Sequence, residues 1–156
     1  QKEYVALVWG LVQQRKRIEA AIGRDPKNRL KMSTRASRAR DAVTRITWAR
    51  DLRGVTLCRV AIATGRTHQI RVHMSAIGHP IVGDGKYGGS GQENAGDGWG
   101  SQLGGDISRK MHLHARSISF DHPITKKRIT VTAPLPDHMK RTWKSVGWNE
   151  GDVPSS

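Results

Sequence analysis

Segments with strand character dominate this chain and constrain its fold more than any other feature. Branched and aromatic residues are concentrated in residues 3–12 and 42–50. In residues 54–63 two apolar sets alternate: Val55 and Leu57 against Cys58, Val60 and Ile62. A period of two is typical of a β-strand. The segments HLHARSISF and KRITVTAP, on either side of DHPITK, further predict a β-hairpin.

One helix is predicted over residues 66–77, where apolar residues recur at helical spacing: Ile70, Met74 and Ile77. Gly78 is a typical helix end. Offsets of three and four residues place His68, Arg71 and Ser75 together on a second face of this helix. We therefore expect a short rigid helix, rather than a loop, to aim the Arg71 side chain.

A second, short amphipathic helix is predicted near the end of the chain, in LPDHMKRTWKSVGW. Its apolar stripe consists of Met139, Trp143 and Val146. Together with the strands, the two helices predict an α+β fold. We expect a mixed, largely antiparallel sheet with flanking short helices.

The length of 156 residues suits one domain. Residues 88–105 contain eight glycines and are expected to form a flexible insertion, and residues 149–156 a disordered tail. The segment RKRIEAAIGRDPKNRLKMSTRASRARD is expected to be a long, partly mobile basic connection, because Gly23 and Asp25-Pro26 break any helix. Gln1 stands where an initiator methionine would be, so we expect the chain to be cut from a longer one.

Positive charge is concentrated in one part of the chain. Lys and Arg number 27 against 13 Asp and Glu, and residues 13–53 alone hold 13 basic and four acidic residues. Such clustering predicts a polyanionic partner, above all nucleic acid, although a basic surface without such a partner stays an alternative. The longest apolar run, YVALVWGLV, is too short for a membrane span. The unpaired Cys58 favours a reducing, cytoplasmic setting.

Motifs of three other site classes match only in part. GDGKYG satisfies G-x-G-x-x-G, but a dinucleotide site needs a preceding strand and a helix starting within the motif. His68 and His73 have the wrong spacing for two metal ligands on one helical face. His112 and His114 share a strand face, but without a nearby carboxylate pair they read as ordinary hydrogen-bonded histidines. Cys58 lies mid-strand among apolar neighbours, where a thiol is usually inert.

The stretch GRTHQIRVHMSAIGHPIVGDGKYG resembles the signature of the RluA-type RNA pseudouridine synthases. KEYVALVWG resembles the family's K-x-Y-x-A-x-V-x-G strand, IGRDPKNRLKM its I-x-R-D-P-x-N-R-x-K-M loop, and LHARSISFDHP with APLP its closing strands. The resemblance implies an enzyme that isomerises uridine to pseudouridine in structured ribosomal or transfer RNA, without metal or organic cofactor. Residues 1–148 would form the C-terminal portion of its catalytic domain.

The resemblance also implies roles for individual residues. Arg71 matches the arginine that pairs with the catalytic aspartate, and a guanidinium can keep such a carboxylate ionised through a bidentate contact. Tyr4 matches the active-site tyrosine that lies against the flipped base. Leu113 would wall the pocket, or be a plain core leucine. Further substrate contacts are expected from residues of the signature and of the basic connection: His68, Gln69, Arg24, Arg29, Lys31, Arg38 and Arg40.

One motif of the family is missing from these residues. The family's nucleophilic aspartate lies in an R-L-D-x-x-T-S-G segment upstream of the K-x-Y strand, and none of the nine aspartates here lies in such a segment. We therefore expect a fragment of the enzyme that is inactive by itself. The alternative is a noncatalytic RNA-binding protein that uses the same scaffold, and the sequence immediately before Gln1 would separate the two.

Overall fold

The computed structural model describes residues 1–28, 30–36, 38–52, 54–88, 110–145 and 147–148. Nearly all of the insertion predicted at residues 88–105 lies outside these ranges, as does the tail predicted at residues 149–156. Arg29 and Val146 also lie outside them, so their predicted roles stay predictions.

The described residues form eight strands and two helices. In chain order these are β1 (Lys2–Trp9), β2 (Lys16–Glu19), β3 (Gly23–Arg24), β4 (Met32–Ser33), β5 (Val43–Leu52), β6 (Val55–Ile62), α1 (Gln69–Ala76), β7 (Leu113–Asp121), β8 (Arg128–Thr132) and α2 (Asp137–Ser145). Six strands form one sheet in the order β2-β5-β6-β1-β7-β8, and β3 pairs with β4. All pairings between these strands are antiparallel. The predicted α+β class is confirmed, and neither described helix could cross a membrane.

The centre of the sheet is buried on both faces. Val55 and Leu57 of β6 pack on one face, in a cluster that includes Met139 and Trp143 of α2. The residues that alternate with them in β6 pack on the other face, in a cluster that includes Ile70 and Met74 of α1. The predicted alternation is thus confirmed, and it places the two helices on opposite faces of the sheet.

Helix α1 follows its predicted apolar spacing closely. Ile70 and Met74 are buried, and Ile77 packs against the same cluster. Gly78 has a φ of +85°, a conformation that glycine adopts without the steric cost met by other residues, so the helix ends where predicted.

The segment between β1 and β5 is more regular than its sequence indicates. Strand β2 pairs with β5, so that Arg17 lies opposite Arg45, and β3 and β4 form a short hairpin. Within this β3–β4 hairpin, Asp25 Oδ1 accepts hydrogen bonds from the N–H groups of Lys27 and Asn28. The described residues of this segment contain no helix, as predicted, but the three short strands were not predicted from the sequence. Side-chain hydrogen bonds and pairing with β5, rather than apolar periodicity, order this segment.

His112, directly before β7, is fully buried beside α2. Its Nε2 lies 2.7 Å from the Thr142 hydroxyl oxygen, and its Nδ1 lies 3.3 Å from the carbonyl oxygen of Val82. Burial, with a smaller contribution from His138, lowers the pKa of His112 to about 4. The imidazole is therefore neutral at pH 7.

The other residues weighed for metal or nucleophile chemistry are also bonded or buried within the fold. His114 Nε2 lies 3.3 Å from the carbonyl oxygen of Ala133. Across the described ranges, no group of three His, Cys, Asp or Glu side chains is placed to hold a metal ion. Burial raises the pKa of the Cys58 thiol to about 12, so the thiol stays protonated.

Acid should destabilise this fold through His112. Its folded-state pKa of about 4 lies below the ordinary 6.5, so the unfolded chain binds a proton between these pH values while the folded chain does not. The contribution of His112 to the free energy of unfolding is then fully present above about pH 6.5 and is lost as the pH drops toward 4. Lowering the pH from 7 to 5 should reduce the free energy of unfolding by about 2 kcal/mol through this residue alone.

Denaturant unfolding at both pH values measures this effect. His112→Gln should lose the part of the pH dependence that His112 contributes, about 2 kcal/mol between pH 7 and 5, although it lowers stability overall. The matched control is His122→Gln in the β7–β8 turn, which should keep the dependence. An unchanged pH dependence in His112→Gln would contradict the assignment.

Candidate functional site

Arg71 of α1 forms a bidentate ion pair with Asp84. Its Nε donates to Asp84 Oδ2 at 2.9 Å, and its Nη2 donates to Asp84 Oδ1 at 2.9 Å. The Asp84 side chain is fully buried, whereas 17% of the Arg71 side chain is exposed. The hydrogen bond that Arg71 donates to Asp84, against an opposing effect of burial, raises the pKa of Arg71. The guanidinium is thus charged, fixed along one edge, and still open to solvent in part.

Tyr87 packs against this pair. The Arg71 guanidinium lies over the Tyr87 ring, 5.0 Å from its centroid. The Tyr87 N–H donates to Asp84 Oδ1 at 3.2 Å, and the Tyr87 carbonyl oxygen accepts from the Ser75 hydroxyl at 2.7 Å. His68 contacts the Tyr87 hydroxyl at 2.8 Å. Arg71 and Ser75 therefore share the predicted face of α1, and Tyr87 is what this face contacts. The helix begins at Gln69 rather than at the predicted residue 66, so His68 contacts Tyr87 from the residue before α1.

His68 precedes α1 with a left-handed φ of 55° and lies beside the Tyr87 hydroxyl through Nδ1. The Tyr87 oxygen already accepts a hydrogen bond of 2.9 Å from the Met32 N–H. Its own proton can therefore bond His68 Nδ1, which leaves the imidazole proton on Nε2. Burial and then the charge of Arg71 lower the pKa of His68. The lowered pKa favours the neutral form of the His68 imidazole at pH 7.

Gln69 has a structural task at the start of α1. Its Oε1 accepts hydrogen bonds from the Arg66 N–H and the Thr64 hydroxyl, and its Nε2 donates to the Val43 carbonyl oxygen and the Thr44 hydroxyl. The side chain is buried. These bonds tie the loop before α1 to β5, and the predicted contact of Gln69 with substrate stays a prediction.

Tyr4 lies in β1 on the face of the sheet that packs against α1. It is half-buried and packs against the same apolar cluster as Leu113 and Ile70. Beside it is a cavity of about 310 Å³. The cavity is mostly apolar, with two cationic side chains, and is lined by Lys2, Tyr4, Ala115, Arg116, Ser117, Ile118, Val131 and Ala133. The structure thus brings Tyr4 and Leu113 into one cluster, with Tyr4 at an open cavity.

Arg71 is not among the residues that line this cavity in the described part of the chain. The link between the two places is helix α1. Ile70 packs in the cluster with Tyr4, and the next residue, Arg71, is directed toward Asp84. The two predicted catalytic residues are therefore connected through one helix rather than by a direct contact within the described chain.

Those basic residues predicted to contact RNA that the structure describes lie on and beside the β3–β4 hairpin, which bonds Tyr87. Arg24 is on β3 and Lys31 directly precedes β4, whose Met32 N–H bonds Tyr87. Arg40 forms a β-bridge with Ile22 through its backbone, and the side chains of Arg38 and Arg40 are exposed.

Gly23 allows the two basic segments to pack together. A Cβ atom on Gly23 would lie 2.6 Å from the carbonyl oxygen of Arg38 and 2.9 Å from the Cβ of Ala36. Ala36 and Arg38 can therefore approach the β3–β4 hairpin this closely only because position 23 has no side chain.

The sequence profile described as RNA pseudouridylate synthase matches residues 1–76. The chain is also 38% identical, over 147 residues, to ribosomal large subunit pseudouridine synthase D of Xanthomonas campestris, a match that covers 93% of this chain and 44% of that protein. The chain belongs to the RNA pseudouridylate synthase family. The resemblance to the RluA-type synthases inferred from the sequence is confirmed.

Other relatives and solved structures agree with this membership. The uncharacterized RNA pseudouridine synthase YjbO of Bacillus subtilis is 37% identical over 146 residues, which are 92% of this chain and 46% of that protein. The structure of human RNA pseudouridylate synthase domain containing 1 matches with a TM-score of 0.64 at 31% identity, over 86% of this chain and 54% of that chain. Human RNA pseudouridylate synthase domain containing 4 shares the fold, with a TM-score of 0.69. The chain spans less than half the length of the two bacterial relatives.

Two residues of the site are absent from the set predicted from the sequence: Asp84 and Tyr87. Both lie in GDGKYG, the end of the pseudouridylate synthase signature, where the glycines invite comparison with a dinucleotide motif. A buried carboxylate needs a counter-charge, and Arg71 is one of three cations in the same signature, with Arg66 and Lys86. The single acidic residue of the signature was the signal available in the sequence, although the sequence does not say which of the three cations pairs with it.

The Arg71–Asp84 pair should contribute strongly to the stability of this chain. Arg71→Ala leaves a fully buried carboxylate without its counter-charge, which typically costs about 3–5 kcal/mol. Urea unfolding of the chain at pH 7 measures the loss.

The matched control is Arg128→Ala, which removes an exposed pair with Asp121 at 3.4 Å. Exposed pairs contribute about 1 kcal/mol or less. If Arg71→Ala cost no more than Arg128→Ala, the bidentate pair would not be the stabilising contact described here.

Proposed function

We propose that this chain supplies the RNA-binding surface and part of the active site of a pseudouridine synthase that isomerises uridine in structured RNA, with ribosomal RNA as the expected substrate. The observation that carries the proposal is the Arg71 guanidinium, held on a rigid helix with one edge paired and part of its surface open. Membership of the RNA pseudouridylate synthase family supports the reaction class.

Arg71 can bind a second carboxylate without releasing Asp84. Asp84 occupies the edge formed by Nε and Nη2, so the edge formed by Nη1 and the outer hydrogen of Nη2 points away from it. A nucleophilic aspartate bound at that outer edge would stay ionised, because a charge-assisted bidentate contact favours the carboxylate form. We assign Arg71 the role of orienting the nucleophilic aspartate of the family's R-L-D-x-x-T-S-G segment and of keeping it ionised.

Tyr4 and its cavity would receive the target nucleotide. The cavity of about 310 Å³ has the size of a small-ligand site and presents a tyrosine for stacking and proton transfer. Lys2 and Arg116 at the same cavity supply positive charge for phosphate oxygens. Extrusion of the uridine from its helix is required before a side chain can reach the ring.

The exposed basic side chains near the β3–β4 hairpin would bind the RNA backbone around that nucleotide. Arg24, Arg38 and Arg40 are exposed, and Lys31 is half-buried. Contacts of this kind fix orientation without reading sequence, so they suit a grip on the phosphates that flank the target.

A second candidate function has one observation in its favour. The R-L-D-x-x-T-S-G segment that carries the family's nucleophile does not occur in these 156 residues. A noncatalytic RNA-binding protein with this scaffold would keep the basic surface and the fold but would release no tritium in the assay below, even as the complete gene product.

Tritium release from RNA containing 5-tritiated uridine tests the reaction. The complete gene product should release tritium, whereas residues 1–156 alone should bind structured RNA without turnover. Arg71→Lys in the complete product should lower the single-turnover rate at saturating RNA by about a hundredfold, because an ammonium group cannot reproduce two planar contacts. Turnover by residues 1–156 alone, or a normal rate for Arg71→Lys, would contradict the assigned roles.

RNA affinity should depend steeply on salt. In a plot of the logarithm of the binding constant against the logarithm of the salt concentration, each phosphate neutralised contributes about 0.9 to the steepness of the fall on a duplex. On a single strand it contributes about 0.7. Arg40→Ala should weaken binding and reduce this slope by about one. The matched control, Lys127→Ala in the β7–β8 turn, should change neither. Fluorescence anisotropy over a salt series measures both quantities, and salt-independent affinity would exclude an electrostatic interface.

A further inference from the structure

Tyr87 joins four parts of the chain through a single side chain and its backbone. Its N–H and carbonyl oxygen bond Asp84 and Ser75, its ring lies under Arg71, and its hydroxyl bonds His68 Nδ1 and the Met32 N–H. Every polar group of Tyr87 is therefore engaged, although the residue is only half-buried.

We propose that Tyr87 is a positioning residue for Arg71 and that its hydroxyl couples this arginine to the basic β3–β4 hairpin. The inference rests on the proposed function, because Arg71 must carry out the role assigned above for its orientation to matter to catalysis.

The ring and the carboxylate constrain Arg71 in complementary ways. Two hydrogen bonds to Asp84 set the direction of the guanidinium within its own plane, at 2.9 Å each. The Tyr87 ring, 5.0 Å from the guanidinium carbon, supports its face. Together these contacts determine where the outer edge of the guanidinium points. Without the ring, the guanidinium could tilt about the line of its contacts with Asp84.

The hydroxyl has a separate task. It accepts a hydrogen bond of 2.9 Å from the Met32 N–H, and Met32 pairs with Arg24 across the hairpin. Met32 and Tyr87 also pack against Val72 of α1 in one apolar cluster. These contacts fix the position of the β3–β4 hairpin, whose cations would bind RNA, relative to the helix that carries Arg71.

Two variants of the complete gene product separate the tasks. Tyr87→Leu removes ring and hydroxyl, so the single-turnover rate at saturating RNA should fall by about tenfold to a hundredfold. Tyr87→Phe keeps the ring, so its rate should be close to that of the unmodified protein. Its RNA affinity should fall by about fivefold, because the hairpin loses one hydrogen bond to the site. The matched control is Phe120→Leu, which removes a partly exposed aromatic ring from β7 and should change neither quantity.

Hydrogen exchange of the Arg71 Nε–H, followed by NMR, reports on its orientation without any turnover. Exchange should be faster in Tyr87→Leu and unchanged in Tyr87→Phe. A Tyr87→Leu protein with a normal rate and normal exchange would overturn the proposal. If the unmodified protein releases no tritium, the proposed function is overturned, and the exchange experiment still decides whether Tyr87 positions Arg71. Should Tyr87→Leu not fold, Tyr87→Met, which fills the space without a ring, replaces it with the same expectations.

Discussion

The burial of the sheet centre on both faces is the constraint on which the rest of this structure depends. Because β6 contributes apolar side chains to both faces, α1 and α2 must cover opposite sides. The chain after α1 then returns to the sheet, where Ile81 bridges to Val8 of β1. That return places Asp84 and Tyr87 beside the polar face of α1. The position of the site therefore follows from the path of the chain between α1 and the sheet.

The buried carboxylate of Asp84 imposes the second constraint. An ionised carboxylate without a partner is costly inside a protein, and the bidentate contact with Arg71 compensates this cost. The same contact takes only one edge of the guanidinium. A stable ion pair and an open, oriented cation can therefore exist in one residue, which is the arrangement that the role proposed for Arg71 requires.

The cations proposed to bind RNA and the cation proposed to act in the reaction lie in different environments. Arg38 and Arg40 are exposed on the segment that packs against the β3–β4 hairpin, while Arg71 is mostly enclosed between Asp84 and Tyr87. The hydrogen bond from Met32 to Tyr87 connects the two groups. Solvent and salt screen the exposed cations, whereas the enclosed one is held by geometry.

The sequence by itself determined the elements that depend on local periodicity. Alternation in β6 and helical spacing in α1 predicted which side chains enter the core, and the shared face of His68, Arg71 and Ser75 followed from the same spacing. The motifs identified the family. Only the tertiary structure decided that Asp84 pairs with Arg71, that Gln69 anchors the loop before α1, and that the polar segment around Asp25 forms a hairpin. These depend on hydrogen bonds and ion pairs between residues brought together by chain return, and such partners leave no periodic pattern in a sequence.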